Sequence, residues 1–182
     1  MKTLLVIDLQ NDYFSGGRME LVGIEQAAGH ARRLVETCRE NKIPVIHLQH
    51  IATRPGATFF LPETEGVKIH PTLTPAPGEL VLTKHYPNSF RETNLLPQLK
   101  KTRTETVIVC GAMTHMCIDA TTRAAFDLGF NCLVAEDACA TRDLVFKEKT
   151  VRAADVHASF MAALAVPYAR IVSTSELSGS LG

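Results

Sequence analysis

Little in this chain points to a charged partner or to a membrane. Its 182 residues carry nineteen Lys and Arg against nineteen Asp and Glu, so the formal net charge is zero. Without a surplus of either sign there is no field to draw nucleic acid or anionic lipid, and neither is expected as a partner. No 18-residue apolar run occurs, and no basic segment leading into an apolar stretch opens the chain. A membrane span and a targeting segment are therefore not expected, and the reading is cytoplasmic. The five cysteines, at 38, 110, 117, 132 and 139, include no CxxC pair and are odd in number. Reduced thiols are the simpler expectation, with Cys38 and Cys110 as small core residues in apolar patterns. No GxGxxG follows the first apolar run, which argues against a dinucleotide site. No repeat, low-complexity tract or boundary is visible either. Residues 1–182 are expected to form one domain, long enough to bury about 70% of its unfolded surface.

What is present is an alternation of strand and helix patterns. Strands are predicted at 3–8, at Lys42–Leu48, at Leu80–Thr83, at Glu105–Cys110, at Asn131–Ala135 and at Ala169–Val172. Helices are predicted at 24–41, 93–101, 117–128 and 147–165. The first of these places Ile24, Ala27, Ala28, Ala31, Leu34, Val35 and Cys38 on one face. Strands alternating with helices imply a parallel sheet covered on both faces. Between the second and third strands runs an irregular stretch, about 50–79, holding Pro55, Pro62, Pro71, Pro75 and Pro77, with Pro87 just beyond. Long loops in compact domains tend to carry function, so this one is expected to face substrate.

Three residues stand at the ends of predicted strands. Asp8 follows Thr3-Leu-Leu-Val-Ile7, and Lys84 follows Leu80-Val-Leu-Thr83. Cys117 closes Val107-Ile-Val-Cys-Gly-Ala-Met-Thr-His-Met-Cys117, on the expected first turn of a helix. If these strands are neighbours, base, cation and thiol emerge at one edge, where parallel sheets bind ligands. The helix N-terminus and Lys84 would favour a thiolate at Cys117, and Asp8 could take its proton. Singly, each has an ordinary explanation: an Asp capping a loop, a solvated Lys, a buried inert Cys. Jointly they suggest a hydrolase.

At these residues the chain resembles the isochorismatase-like cysteine hydrolase family, which includes nicotinamidases and N-carbamoylsarcosine amidohydrolase. The resemblance is carried by Val6-Ile-Asp8-Leu-Gln-Asn-Asp12, by Lys84 with Asn88-Ser-Phe90, by Gly111-Ala-Met-Thr-His-Met-Cys117 and by Asp137-Ala-Cys-Ala-Thr141. It implies a three-layer, Rossmann-like α/β/α sandwich with a six-stranded parallel sheet. It also implies a catalytic triad, here Asp8, Lys84 and Cys117, and assembly as a homodimer or larger homo-oligomer. The oxyanion donors would be the backbone N–H groups of Met113 and Cys117, behind a cis Ala112–Met113 peptide. The activity implied is hydrolysis of a C–N bond in a small amide, ureido or lactam substrate through a thioester. Vinyl-ether hydrolysis needs no thiol, so Cys117 counts against it. A redox role for Cys117 lacks an obvious resolving partner, although Cys139 or Cys110 could approach it in space. A scaffold that has lost activity fits poorly with an intact triad.

Nicotinamidases hold a metal through an Asp-x-His pair and a later His after the second strand. Leu48-Gln-His50 stands there without the Asp, and Gln49 is a poor substitute for a carboxylate. No metal and no cofactor is expected, and nicotinamide itself is disfavoured as substrate. Candidates for substrate contact are Phe14, Phe59, Tyr86, Ser89, Phe90 and His115. Phe59 and Phe60 either line a pocket or bury the long loop against the core or a second subunit. Ser89 either meets substrate or caps the turn before 93–101, and His115 either meets substrate or lies on the surface. His157 reads as a packing residue.

Overall fold

The computed structural model describes residues 1–181. In chain order its elements are β1 (Lys2–Ile7), α1 (Ile24–Glu40), β2 (Val45–His50), β3 (Leu80–Lys84), α2 (Leu95–Lys101), β4 (Thr106–Ala112), α3 (Asp119–Asp127) and β5 (Asn131–Ala140). They continue with β6 (Leu144–Phe146), β7 (Lys149–Val151), α4 (Ala153–Leu164), β8 (Arg170–Val172) and α5 (Thr174–Leu181). Six strands form one sheet in the order β3-β2-β1-β4-β5-β8, and every pairing in it is parallel. The short β6 and β7 make a separate antiparallel hairpin.

The period of two along each central strand divides the core into two layers. Leu4 and Val6 of β1 and Ile108 and Cys110 of β4 face one side, where Ala31 and Leu34 of α1 and Leu177 of α5 meet them. Leu5, Ile7, Val107 and Val109 face the other, against Leu95 and Leu99 of α2, Ala125 of α3 and Met161 of α4. This is the expected α/β/α sandwich. Every residue assigned by periodicity to the inner face of α1 is buried. A fully buried Leu such as Leu34 or Leu99 contributes about 2 kcal/mol by area.

Two backbone features shape the edge where the strands end. Gly111 has φ +125°, and a Cβ there would collide with the carbonyl oxygen of Ile7, so only glycine lets β1 and β4 approach. Beside it β5 carries an irregularity. Val109 pairs with Val134, but Gly111 pairs with Cys139, three residues further along than regular pairing would reach. An odd insertion swaps faces. Ala135 and Ala138 thus pack on the same side, and Asp137 is freed to accept the N–H and hydroxyl of Thr174 at 2.8 and 2.7 Å, capping α5.

Several expected boundaries move. β1 stops at Ile7 because Asp8 adopts a left-handed conformation, φ +52°, and turns out of the sheet. β2 begins only after Lys42, also left-handed, and Pro44, which has no N–H to donate. Cys117 lies in a π-helical turn, Thr114–Ile118, ahead of α3 rather than on its first turn. The strand expected at 131–135 runs on to Ala140. The helix expected from 147 starts at Ala153, where the Asp143 carboxylate accepts the Ala153 N–H at 2.8 Å, and 149–151 pair with β6 instead. Helix α5 was not expected. Among the described residues no helix is long and apolar enough to cross a membrane.

Candidate active site

Strand order reverses across β1: β2 and β3 lie on one side, β4 and β5 on the other. Crevices beyond the carboxyl ends of strands at such a point are where open parallel sheets bind ligands. Asp8 leaves β1 there, Lys84 ends β3, and Cys117 follows β4 by one tight turn. The Lys84 ammonium sits between them. Its Nζ donates to Asp8 Oδ2 at 2.7 Å and to the Tyr86 carbonyl at 3.1 Å, and lies 3.3 Å from both Cys117 Sγ and His50 Nδ1. Lys84 and Asp8 are 0% exposed and Cys117 is 4% exposed. Three N–H bonds thus face four acceptors, of which a neutral thiol sulfur is the weakest.

Charge and burial compete at the sulfur. Burial, followed by the Asp8 carboxylate, pushes the Cys117 thiol well above the usual cysteine range, and Lys84 only partly opposes them. Burial and Asp8 thus favour the thiol, against the thiolate that the helix N-terminus and Lys84 were expected to favour. Burial also works against the Lys84 ammonium, but Asp8 and Cys117 outweigh it and hold its pKa above the usual lysine value. Burial pushes His50 down to about 4, so its imidazole is neutral near pH 7. The phenol of Tyr13 is raised by burial, then by the charge that Cys117 gains once it is deprotonated and by that of Asp8, and stays a hydroxyl near pH 7.

The turn that carries Cys117 wraps around one carbonyl: Met113 O accepts the N–H groups of Met116 at 3.0 Å and Ile118 at 3.2 Å. The Ala112–Met113 peptide is cis, as the resemblance implies. Among the described residues the Met113 N–H finds no backbone or side-chain acceptor. Three hydrogen bonds lash the turn to its surroundings, one of them from Thr114 Oγ1 to the Ala140 carbonyl at 3.3 Å. Thr114 Oγ1 and His157 Nδ1 are 3.0 Å apart, and His115 Nδ1 and Thr141 Oγ1 are 2.6 Å apart.

Above the sulfur opens a cavity of about 380 Å³, with Met113, Met116 and Cys117 on one side and His50, Tyr13, Phe59, Phe60 and Tyr86 around it. Tyr13, Phe59 and Phe60 form one aromatic wall, with ring centroids 4.6–5.8 Å apart. Buried polar groups hold the 50–79 loop in place over the site. The Asp12 carboxylate accepts the Phe60 N–H at 2.6 Å, and the amides of Gln10 and Gln49 donate to the Val67 carbonyl at 2.7 and 2.9 Å. Phe59 and Tyr86, two of the expected substrate contacts, line this cavity.

Four other expected contacts do not line this cavity. Phe14 is buried in the core and stacks on His70 with centroids 3.6 Å apart. Ser89 is 0% exposed and bonds to Thr121 Oγ1 at 2.8 Å. Phe90 packs against Phe130 under α2, and His115 turns toward Thr141 and Phe160. Each sits in a turn or loop, where no periodicity tells which neighbour points inward. Tyr13, His50 and Met116 were missed for the same reason, although the end of β2 was a signal for His50.

The donors present do not suit a metal of the nicotinamidase kind. Leu48 is core, the Gln49 amide is committed to Val67, and His50 Nδ1 faces Lys84. Atoms of Asp8, His50 and Cys117 lie within 4.8 Å of one another, but the Lys84 ammonium contacts all three residues. A divalent cation would have to displace a buried charge of its own sign.

Comparison with known proteins agrees with this geometry. Residues 2–173 match the model of the isochorismatase domain. The chain is 48% identical over 171 residues to the uncharacterized isochorismatase family protein YddQ of Bacillus subtilis, covering 94% of this chain and 95% of that one. It is 28% identical to nicotinamidase 3 of Arabidopsis thaliana, covering 98% and 87%. The crystal structure of an isochorismatase-family hydrolase from Oleispira antarctica superposes with a TM-score of 0.93 at 49% identity, covering 98% and 96%.

Proposed function

The chain belongs to the isochorismatase family of hydrolases, and from that premise we propose that it hydrolyses a C–N bond of a small amide, ureido or lactam substrate through a thioester on Cys117. The observation that carries this reading is the contact of one buried ammonium, Lys84, with both a carboxylate and a thiol at the edge of a cavity with an aromatic wall. The relative named as a nicotinamidase supports amide chemistry. Without the metal ligands, nicotinamide is not the favoured substrate here.

In this reading Asp8 takes the Cys117 proton as the sulfur attacks the carbonyl carbon. Lys84 stabilises the sulfur as it becomes anionic, and the proton never passes to solvent. The carbonyl oxygen gathers charge between the N–H groups of Met113 and Cys117. Protonated Asp8 then donates to the nitrogen, the C–N bond breaks, and the amine leaves. Water attacks the thioester with Asp8 again as base; the acid departs and the thiol is restored. The raised thiol pKa fits this scheme, because the base is needed only at the moment of attack.

Ammonia release from a panel of small carboxamides and ureido compounds tests the reading. The wild type is expected to turn over at least one member, and Cys117→Ala to lose about three orders of magnitude or more in kcat. Equal turnover by both proteins, or cleavage of a vinyl ether by both with no amide consumed, would overturn it.

A further inference from the structure

We propose that His50 is a specificity-determining residue: a fixed N–H donor in the cavity wall that selects substrates with an acceptor atom beside the scissile carbonyl. The proposal rests on the amide-hydrolase reading and deepens it. His50 is the last residue of β2, and its backbone is held at both ends by one side chain. The fully buried Gln10 amide donates to the His50 carbonyl at 2.9 Å and accepts the His50 N–H at 2.7 Å.

The tautomer follows from its neighbour. Lys84 Nζ stands 3.3 Å from His50 Nδ1, and an ammonium has hydrogens to give and no lone pair to offer. Nδ1 is therefore the acceptor, and the single ring proton of the neutral imidazole lies on Nε2. Among the described residues Nε2 has no hydrogen-bond partner, and the ring lines the cavity beside Phe60, centroids 5.9 Å apart. Because burial holds the ring neutral down to about pH 4, it acts as a donor and not as an acid or base at neutral pH.

An unpaired N–H at a fixed point of this wall, which also carries polar groups at Tyr13, Thr53, Arg54 and His85, is a selection device. A ligand with an acceptor opposite it gains a bond, whereas an isostere without one must strip water from the donor and return nothing. Reach limits where that acceptor lies. One ring nitrogen of His50 is within 4.8 Å of Cys117 Sγ, and Nε2 lies in the same small ring, so the acceptor stands within a few bonds of the carbon that the sulfur attacks. A planar ring amide bearing a nitrogen or second carbonyl near the scissile group fits this arrangement and the aromatic wall.

Reversible aldehydes test this without requiring turnover. The Cys117 S–H adds across the aldehyde C=O, the S–C bond forms, the proton ends on the oxygen, and nothing leaves. Affinities of benzaldehyde, pyridine-2-carbaldehyde and pyridine-3-carbaldehyde would be measured, by protection of Cys117 from alkylation, for wild type, His50→Phe and His50→Gln. Comparing ratios across the variants cancels the intrinsic reactivity of each aldehyde. At least one pyridine isomer is expected to be preferred by the wild type, and that preference to shrink about 5–10-fold in His50→Phe and recover partly in His50→Gln. Nitrogen-15 NMR of the His50 ring is expected to show the Nε2–H form from pH 5 to 8. An Nδ1–H or cationic ring at pH 6, or an unchanged pyridine preference in both variants, would overturn the proposal. If no aldehyde protects wild-type Cys117, the thiol reading of the site fails, and the ring tautomer still decides for or against His50 as the donor.

Discussion

The charge state of Cys117 is decided by burial and two neighbours acting in different directions. Burial and Asp8 favour the thiol and Lys84 the thiolate, and the first two prevail. Alkylation of Cys117 in the free enzyme by iodoacetamide is therefore expected to keep accelerating beyond pH 9, as peptide mass spectrometry can follow. A plateau near pH 7 would mean that Lys84 dominates. Asp8→Asn separates the two roles of the carboxylate. Asn also tolerates the left-handed backbone that Asp8 occupies, so the variant is expected to fold. Removing the anion lowers the thiol pKa and should speed alkylation at pH 7, while loss of the base slows hydrolysis by about 10²–10⁴-fold. Both rates moving in the same direction would contradict the assignment. The identities of Asp8, Lys84 and Cys117 were legible in the sequence because each ends a recognisable strand or turn. The sign of the shift at Cys117 was not, because it depends on how completely the site is closed from water.

Among the elements, the C-terminal half departs most from its pattern. The three-residue insertion in β5 has no period of its own, so the sequence shows a strand ending at Ala135 where the structure carries it to Ala140. Its consequence is the cap on α5, made by Asp137 from a distance of 37 residues in sequence. Local spacing cannot reveal such a cap. Asp137→Ala removes two bonds from the first turn of α5 and the carboxylate 3.1 Å from His30 Nδ1. A loss of about 1–2 kcal/mol is expected, seen in calorimetry as a Tm lower by about 2–8 °C. An unchanged Tm would show that α5 contributes little to the cooperative unit. Residues 147–151 teach a related lesson: short apolar and charged residues in that run fit a helix period, but Lys147 at φ +54° closes a hairpin turn instead.

For the molecule as a whole, buried histidines set the acid limit. His47 and His50 are both held below the usual histidine pKa, first by burial, with His50 at about 4. An unfolded chain would protonate them near pH 6.5, so between about 6.5 and 4 the unfolded state binds more protons than the folded one. Their contribution to stability is present above that window and is lost as pH falls through it. Tm is expected to drop by on the order of 5 °C or more between pH 7 and pH 4.5, and a flat profile there would contradict the burial of these rings. Taken alone, the sequence determined the alternation of strands and helices, the parallel sheet and the three strand-end residues, because these rest on periods of 2 and 3.6 and on residue types within a few positions. Only the tertiary structure decided which aromatic residues face the cavity, that Lys84 bridges four acceptors, and that the His50 ring lines the cavity with Nδ1 toward Lys84. Those depend on loops without a period, and on burial and charge contributed by segments far apart in the chain.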